Sequence, residues 1–434
     1  MIKHLYGMGG LLEKDFEIVE VDAIQVLDSR GDPTVEAIVR TRKGVGRAIS
    51  PSGASRSSYE AFELRDGDPS IYKGRSVVKA VNNIKRYIAP AIAGLDARMQ
   101  SYIDQKIIQI DGSKNKSRLG GNATTAVSLA VLKAAADTYN MPLFTYIGGS
   151  RARVLPIPMM NLINGGAHAG NDLAFQEFLV VPVGFDSFSE ALRAGVEIYK
   201  ALKDLLKTVY GVSSINVGDE GGFAPPMRRV SEALDTLEKA INNSGYRAGG
   251  DVYLALDVAA SQIYRDGAYH VDGKRISRGE MIDMIIEIAS RYPIISIEDP
   301  LEESDLEGFS EISKKLYKVI IVGDDLLSTN RDRLREAIRS QAVRGAIMKI
   351  NQAGTYTEAL EFAEEAIGSG VAVITSHRSG DSEDAAISHI AVGLGTMFIK
   401  TGAPARGERT SKYNELLRIE HYLGDEARYA RYRG

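Results

Sequence analysis

Six apolar runs in the second half of the chain each end in a charged or basic side chain, and they recur at nearly even spacing. The runs are 252–258 (VYLALDV), 294–299 (IISIED), 319–325 (VIIVGDD), 345–350 (GAIMKI), 371–378 (VAVITSHR) and 397–401 (MFIKT). Their terminal residues are Asp257, Glu298, Asp324, Lys349, His377 and Lys400, at steps of 41, 26, 25, 28 and 23 residues. An interval of this size holds one strand, one helix and two loops. Repetition of that unit predicts an α/β fold, a TIM-like (β/α)8 barrel, whose chemistry lies at the C-terminal ends of the strands. One rim then carries three carboxylates and two lysines around one cavity. Carboxylates on three consecutive strands suit a hard divalent cation, and a site with few carboxylates and open positions suits magnesium better than calcium. The lysines beside them point to an acidic substrate and a proton to be moved.

The chain of 434 residues has room for one large domain and a smaller one. Its net charge of −4 gives no electrostatic signal for nucleic acid or an anionic membrane. It has no cysteine, which excludes disulfides, thiolate zinc sites and thiol nucleophiles. Residues 1–16 hold no sustained apolar core, so no signal peptide is expected. No apolar run is long enough to span a membrane. The expected compartment is the cytoplasm, and nothing indicates a second location at the surface or outside the cell.

Residues 1–16 read as an N-terminal extension. Residues 17–148 read as an α+β domain: a three-stranded antiparallel meander with turns at 29–33 and 43–44, then helices from 76 to 140. Residues 149–434 read as the barrel. Between 156 and 220 two strands precede two helices, so its start is expected to be an irregular ββαα. Ser187 and Glu190 form a candidate capping box at the start of a long amphipathic helix over 187–209.

Each candidate residue has a plain reading beside the functional one. Asp257, Glu298 and Asp324 either converge on one ion or cap helices. Lys349, among apolar neighbours, is either a base whose pKa burial lowers or the partner of a rim carboxylate. Lys400 is expected close to Lys349, attracting an anionic substrate. His377-Arg378-Ser379-Gly380 offers a fork, a hydroxyl and exposed backbone N–H groups for a phosphate, or else a helix start. His168 lies between glycines and alone reads as a surface residue; Gln176, Glu177 and Glu220 are ambiguous alone.

An ordered set of motifs resolves this. PSGAS (51–55), NGGAHAG (164–170), FQEF (175–178), NVGDEGGFAP (216–225), SIEDP (296–300), GDDL (323–326), IMKINQAG (347–354), SHRSGDSED (376–384) and IKTGAPARGER (399–409) together resemble the enolase family, the phosphopyruvate hydratases of glycolysis. The resemblance spans roughly residues 22–424. It implies reversible dehydration of 2-phosphoglycerate to phosphoenolpyruvate with two Mg2+ per active site. One would be held by Asp257, Glu298 and Asp324; the other would arrive with substrate and be joined by Ser55. Lys349 matches the family's base and Glu220 its acid, with Glu177 nearby. Lys400 would bind the substrate carboxylate, Arg378 and Ser379 the phosphate, and His377 and His168 would complete the site. A homodimer or an octamer of dimers is implied.

The chain departs from the family pattern in places. Arg56-Ser57 follows Ser55 where a small residue and glycine are usual, and Ala260-Ser261-Gln262-Ile263 stands where SSEF is usual. Ile24 replaces an arginine expected to meet Glu408 across a dimer, and His421 a glutamate expected opposite Arg30. A superfamily dehydratase or racemase acting on a non-phosphorylated acid would lack the PSGAS loop, the GDEGG glutamate and the His-Arg-Ser group. A catalytically silent binding protein would have no need of Lys349 and Glu220 together.

Overall fold

The computed structural model describes residues 14–53, 57 and 59–432. Ser55 and Arg56, and residues 1–13 of the expected extension, lie outside the described residues. Phe16, within that extension, is buried against Tyr139.

The meander consists of β1 (Ile18–Leu27), β2 (Pro33–Thr41) and β3 (Val45–Ile49), paired antiparallel in sequence order. In its first turn the Asp28 carboxylate accepts the N–H groups of Arg30 and Asp32, each at 2.9 Å. Gly31 supplies the left-handed residue there, at φ 76°. Helix α1 (Gly121–Thr138) lies on the sheet. It passes so close that a Cβ on Gly46 would sit 1.9 Å from the Ala130 carbonyl oxygen. Every residue from Gly121 to Leu132 is buried. A helix of small, mostly apolar residues buried all round needs cover on all sides, and the barrel supplies the rest: Thr124 Oγ1 donates to the Gly354 carbonyl at 2.7 Å.

The barrel is closed by eight strands, β4 (Ile157–Asn164), β5 (Glu177–Pro182), β6 (Val252–Asp257), β7 (Ile294–Glu298), β8 (Ile320–Gly323), β9 (Gly345–Met348), β10 (Ala372–Ser376) and β11 (Phe398–Lys400), in that circular order. The six expected runs are β6 to β11. The irregular start is also present: β4 and β5 precede helices α2 (Phe188–Tyr210) and α3 (Val230–Asn243). β5 is antiparallel to both its neighbours. Its first residue therefore reaches the rim that the other strands reach with their last, and Glu177 lies opposite Asp257 and Asn164. Half of the expected capping box on α2 forms. Ser187 Oγ accepts the Glu190 N–H at 3.2 Å, while Glu420 takes the N–H groups of Phe188 and Ser189.

The small domain is stitched onto this rim. Ser52 and Gly380 exchange backbone hydrogen bonds at 2.8 Å. Any Cβ on Gly380 would meet Arg30, Asp28 and Ser52 within 2.6 Å. No helix among the described residues is long and apolar enough to cross a membrane.

Candidate active site

One cavity at the rim is lined by His168, Glu177, Glu220, Asp257, Asp324, Lys349, His377, Arg378, Ser379 and Lys400. Glu298 joins the group through Lys400. All these side chains are largely withdrawn from water, including His168, 6 % exposed, for which a surface position was the plain expectation. The loop after β4 folds back over the barrel mouth and brings it inside.

Lys400 stands among the carboxylates. Its Nζ donates to Asp257 Oδ2 at 2.8 Å and to Glu298 Oε2 at 2.9 Å, and lies 3.2 Å from Glu177 Oε1. Burial works against the ammonium, but Asp257, Glu177 and Glu298 outweigh it and hold its pKa well above the ordinary lysine value. One cation cannot neutralise three carboxylates. Burial, then repulsion from Glu220, pushes Glu177 well up; burial, then Asp257, does the same to Glu298.

Lys349 donates to Asp324 Oδ2. Burial lowers its pKa, Asp324 raises it, and the net position is above the ordinary value. Of its two readings the structure has Lys349 as the partner of a rim carboxylate, and with Asp324 as that partner no depression is present. Asp324 is correspondingly lowered, Lys349 outweighing burial. Gln352 Nε2 donates to the other oxygen of Asp324 at 3.1 Å.

Glu220 accepts from Asn161 Nδ2 at 3.1 Å and faces His377 Nε2 at 3.3 Å and His168 Nδ1 at 3.7 Å. Burial raises its pKa, but His377 and His168 outweigh burial and hold it well below the usual range. His377 is itself pushed down to about 4 by burial. The two glutamates are thus driven apart, Glu177 towards the acid and Glu220 towards the carboxylate. A pair separated in this way marks acid–base chemistry.

Arg378 forks onto Glu60, with Nη1 2.9 Å from Oε2 and Nη2 3.2 Å from Oε1. Glu60 thus occupies the bidentate face expected to receive a phosphate. It was not foreseen, because it comes from the loop of the small domain. Asp299 was also missed. It sits at φ 42°, a strained position for a non-glycine residue. Its carboxylate accepts the N–H groups of Asp324 at 3.0 Å and Asp325 at 2.7 Å. The available signal was the doublets Glu298-Asp299 and Asp324-Asp325: where one acid of a strand-end pair points inward, the next can brace the loop.

Several buried polar atoms at the cavity have no hydrogen-bond partner among the described residues, including His168 Nδ1, Glu177 Oε2 and His377 Nε2. Orphaned atoms in a buried site call for a polar ligand. Two groups bring three possible metal-ligand atoms within 4.8 Å of one another: Asp299, Asp324 and Asp325, and His168, Glu177 and Glu220. Of the expected triad, Asp324 belongs to the first group, while Asp257 and Glu298 are gathered on Lys400. These crowded carboxyl groups, short of positive charge, fit a hard divalent cation.

Comparison with known proteins agrees with this geometry. Residues 18–147 match the family described as enolase, N-terminal domain, and residues 152–433 match enolase, C-terminal TIM barrel domain. Among similar curated proteins, the enolase of Aeropyrum pernix is 54% identical over 418 residues, 96% of this chain and 96% of its own length. That of Methanopyrus kandleri is 55% identical over 416 residues, 95% of this chain and 97% of its own. That of Pyrococcus furiosus is 52% identical over 422 residues, 96% and 98% respectively. With both domains matched in order and the rim chemistry in place, the chain belongs to the enolase family.

Proposed function

We propose that the chain dehydrates 2-phosphoglycerate reversibly to phosphoenolpyruvate, with Lys349 as the base at carbon 2 and Glu220 as the acid at the carbon-3 hydroxyl. The observation that carries this assignment is circular order. Lys349 follows β9 and Glu177 begins β5, four strands away around an eight-stranded ring. Glu220 lies beside Glu177, with His168 Nδ1 3.7 Å from each. Base and acid therefore approach the cavity from opposite sides, as an anti elimination requires.

The carbon-2 proton is weakly acidic because its neighbour is already a carboxylate. A lysine base with one or two Mg2+ ions is the recognised arrangement of the enolase superfamily. Asp257, Glu298 and Asp324 would hold the first ion, with Asp299 bracing Asp324; Ser55 would join the second. Bound Mg2+ supplies positive charge against the extra negative charge that forms on the substrate carboxylate. Lys400 would face that carboxylate. Arg378 would exchange Glu60 for the phosphate, with Ser379 and His377 beside it.

A second reading makes Glu177 the acid, since Glu177 is the member of the pair that the cavity drives toward its protonated form. Rates of dehydration and of carbon-2 exchange in deuterated water separate the two. Glu220→Gln is expected to block dehydration and spare part of the exchange. If Glu177→Gln alone gives that split, the acid is Glu177; if Lys349→Ala retains exchange, Lys349 is not the base.

A homo-oligomer, a dimer or an octamer of dimers, in the cytoplasm completes this reading. Self-association is supported by Val19, Ile24 and Leu27, apolar and exposed along β1. Glu408 already pairs with Arg406 at 2.8 Å, and Arg30 donates to Ser52 Oγ at 2.9 Å within the chain. Apolar contact is thus the expected cement, and native mass measurement with Ile24→Lys tests it.

A further inference from the structure

Arg409 has no exposed surface. It lies in the first turn of helix Gly407–Leu423 and spreads its guanidinium between two loops of the active site. Nη1 lies 2.6 Å from His377 Nδ1 and donates to the Arg378 carbonyl at 2.7 Å. Nη2 donates to the carbonyls of Asp219 at 3.0 Å and Ser379 at 2.6 Å. Asp381 at 3.8 Å and Glu408 at 3.4 Å balance its charge.

A guanidinium has donors and no acceptor. His377 Nδ1 must therefore accept, and in the neutral ring the proton is left on Nε2. That nitrogen faces Glu220 Oε1 at 3.3 Å and has no aligned hydrogen-bond partner among the described residues. We infer that Arg409 is a positioning residue that fixes the Nε2–H tautomer of His377 and locks the 218–222 and 377–379 loops at one spacing. The opposite tautomer would turn a lone pair toward the Glu220 carboxylate.

The packing leaves no slack for another arrangement. A Cβ on Gly402 would lie 2.7 Å from the Glu220 carbonyl oxygen, 2.9 Å from Arg409 Cδ and 3.1 Å from His377 Cε1. Lysine cannot substitute, because one ammonium does not reach His377 Nδ1 and the Asp219 carbonyl together. The consequence for turnover rests on the reading that Glu220 or its partner Glu177 acts at the leaving hydroxyl; the tautomer does not.

The chain has six histidines, so ring-nitrogen NMR can resolve them, with His377 identified by its loss in His377→Gln. In the wild-type protein His377 is expected to show a bare Nδ1 and a protonated Nε2. In Arg409→Leu, which leaves no donor beside Nδ1, it should show a mixture of tautomers. Arg409→Lys should slow dehydration roughly 10- to 100-fold, the usual range for a residue orienting a ligand group, with carbon-2 exchange changed far less. Its effect should be non-additive with His377→Gln. A protonated Nδ1 in the wild-type protein overturns the proposal even if the variant does not fold. An unchanged tautomer in Arg409→Leu, or equal losses in exchange and dehydration in Arg409→Lys, overturns it too. If Glu220→Gln and Glu177→Gln both keep dehydration, the acid assignment fails while the NMR result stands.

Discussion

Lys349 Nζ donates to the carboxylate of Asp324, so the expected base and an expected metal ligand neutralise one another at the ends of two adjacent strands, β8 and β9. The lysine and a divalent cation therefore compete for one carboxylate. Lys349→Ala is expected to lose carbon-2 exchange by about 10^2- to 10^4-fold, the range of a general base. Its Mg2+ affinity should be unchanged or higher. Deuterium incorporation followed by NMR and calorimetric Mg2+ titration check the two halves. Weaker Mg2+ binding in the variant would show that Lys349 supports the ion instead of competing with it.

Lys400 holds Asp257 and Glu298 together and lies against Glu177. Removing it leaves three buried carboxyl groups without a cation. Lys400→Met is expected to cost about 3–5 kcal/mol, the usual penalty for breaking a buried ion pair. Mg2+ should restore part of the loss by supplying the missing charge, and chelator should remove that rescue. Urea denaturation under both conditions measures it. A variant as stable as the wild type would mean that the carboxyl groups simply take up protons.

The rim was readable because the strand ends carry it: Asp257, Glu298, Asp324, Lys349 and Lys400 each close an apolar run, and period and chemistry coincide there. The reversed strand was not readable from period alone. β5 puts Glu177 at its beginning, and only the FQEF motif drew attention to it. Glu60 escaped because its partner is 318 residues away, and Arg409 because its partners are 30 to 32 and 190 residues away; a lone charge in a loop or helix turn looks solvated until the fold buries it. Sequence leaves two readings of Lys349, a lowered base among apolar neighbours and the partner of a rim carboxylate. Only the fold, by setting Asp324 at the end of the adjacent strand, selects the pairing.

Glu60 holds Arg378 by two charge-assisted hydrogen bonds with both side chains buried. A substrate phosphate must displace or share that carboxylate. Glu60→Gln removes the competing charge and keeps the shape. The expected result is a several-fold lower KM for 2-phosphoglycerate and tighter binding of inorganic phosphate, charge-assisted bonds being about twice as strong as neutral ones. Steady-state kinetics and phosphate inhibition measure both. A higher KM would show that Glu60 orients Arg378 for the substrate and does not stand in its place.

His377 makes a prediction about acid. Burial holds its pKa down to about 4, against 6.5 for an ordinary histidine, and Glu220 offsets this only in part. Unfolding returns the ring to water and to the ordinary value. Between these limits the unfolded chain binds a proton that the folded chain refuses, so the contribution of neutral His377 to stability is complete above pH 6.5 and is lost as pH falls through 4. The span of about 2.5 pH units corresponds to about 3 kcal/mol. His377→Gln cannot take up that proton. Urea denaturation of both proteins between about pH 7 and about pH 4 should therefore show the wild type losing about 3 kcal/mol more than the variant. If the two lose stability in parallel, His377 is already protonated in the folded protein. Nδ1 would then carry a proton against Arg409, and both residues would need another arrangement.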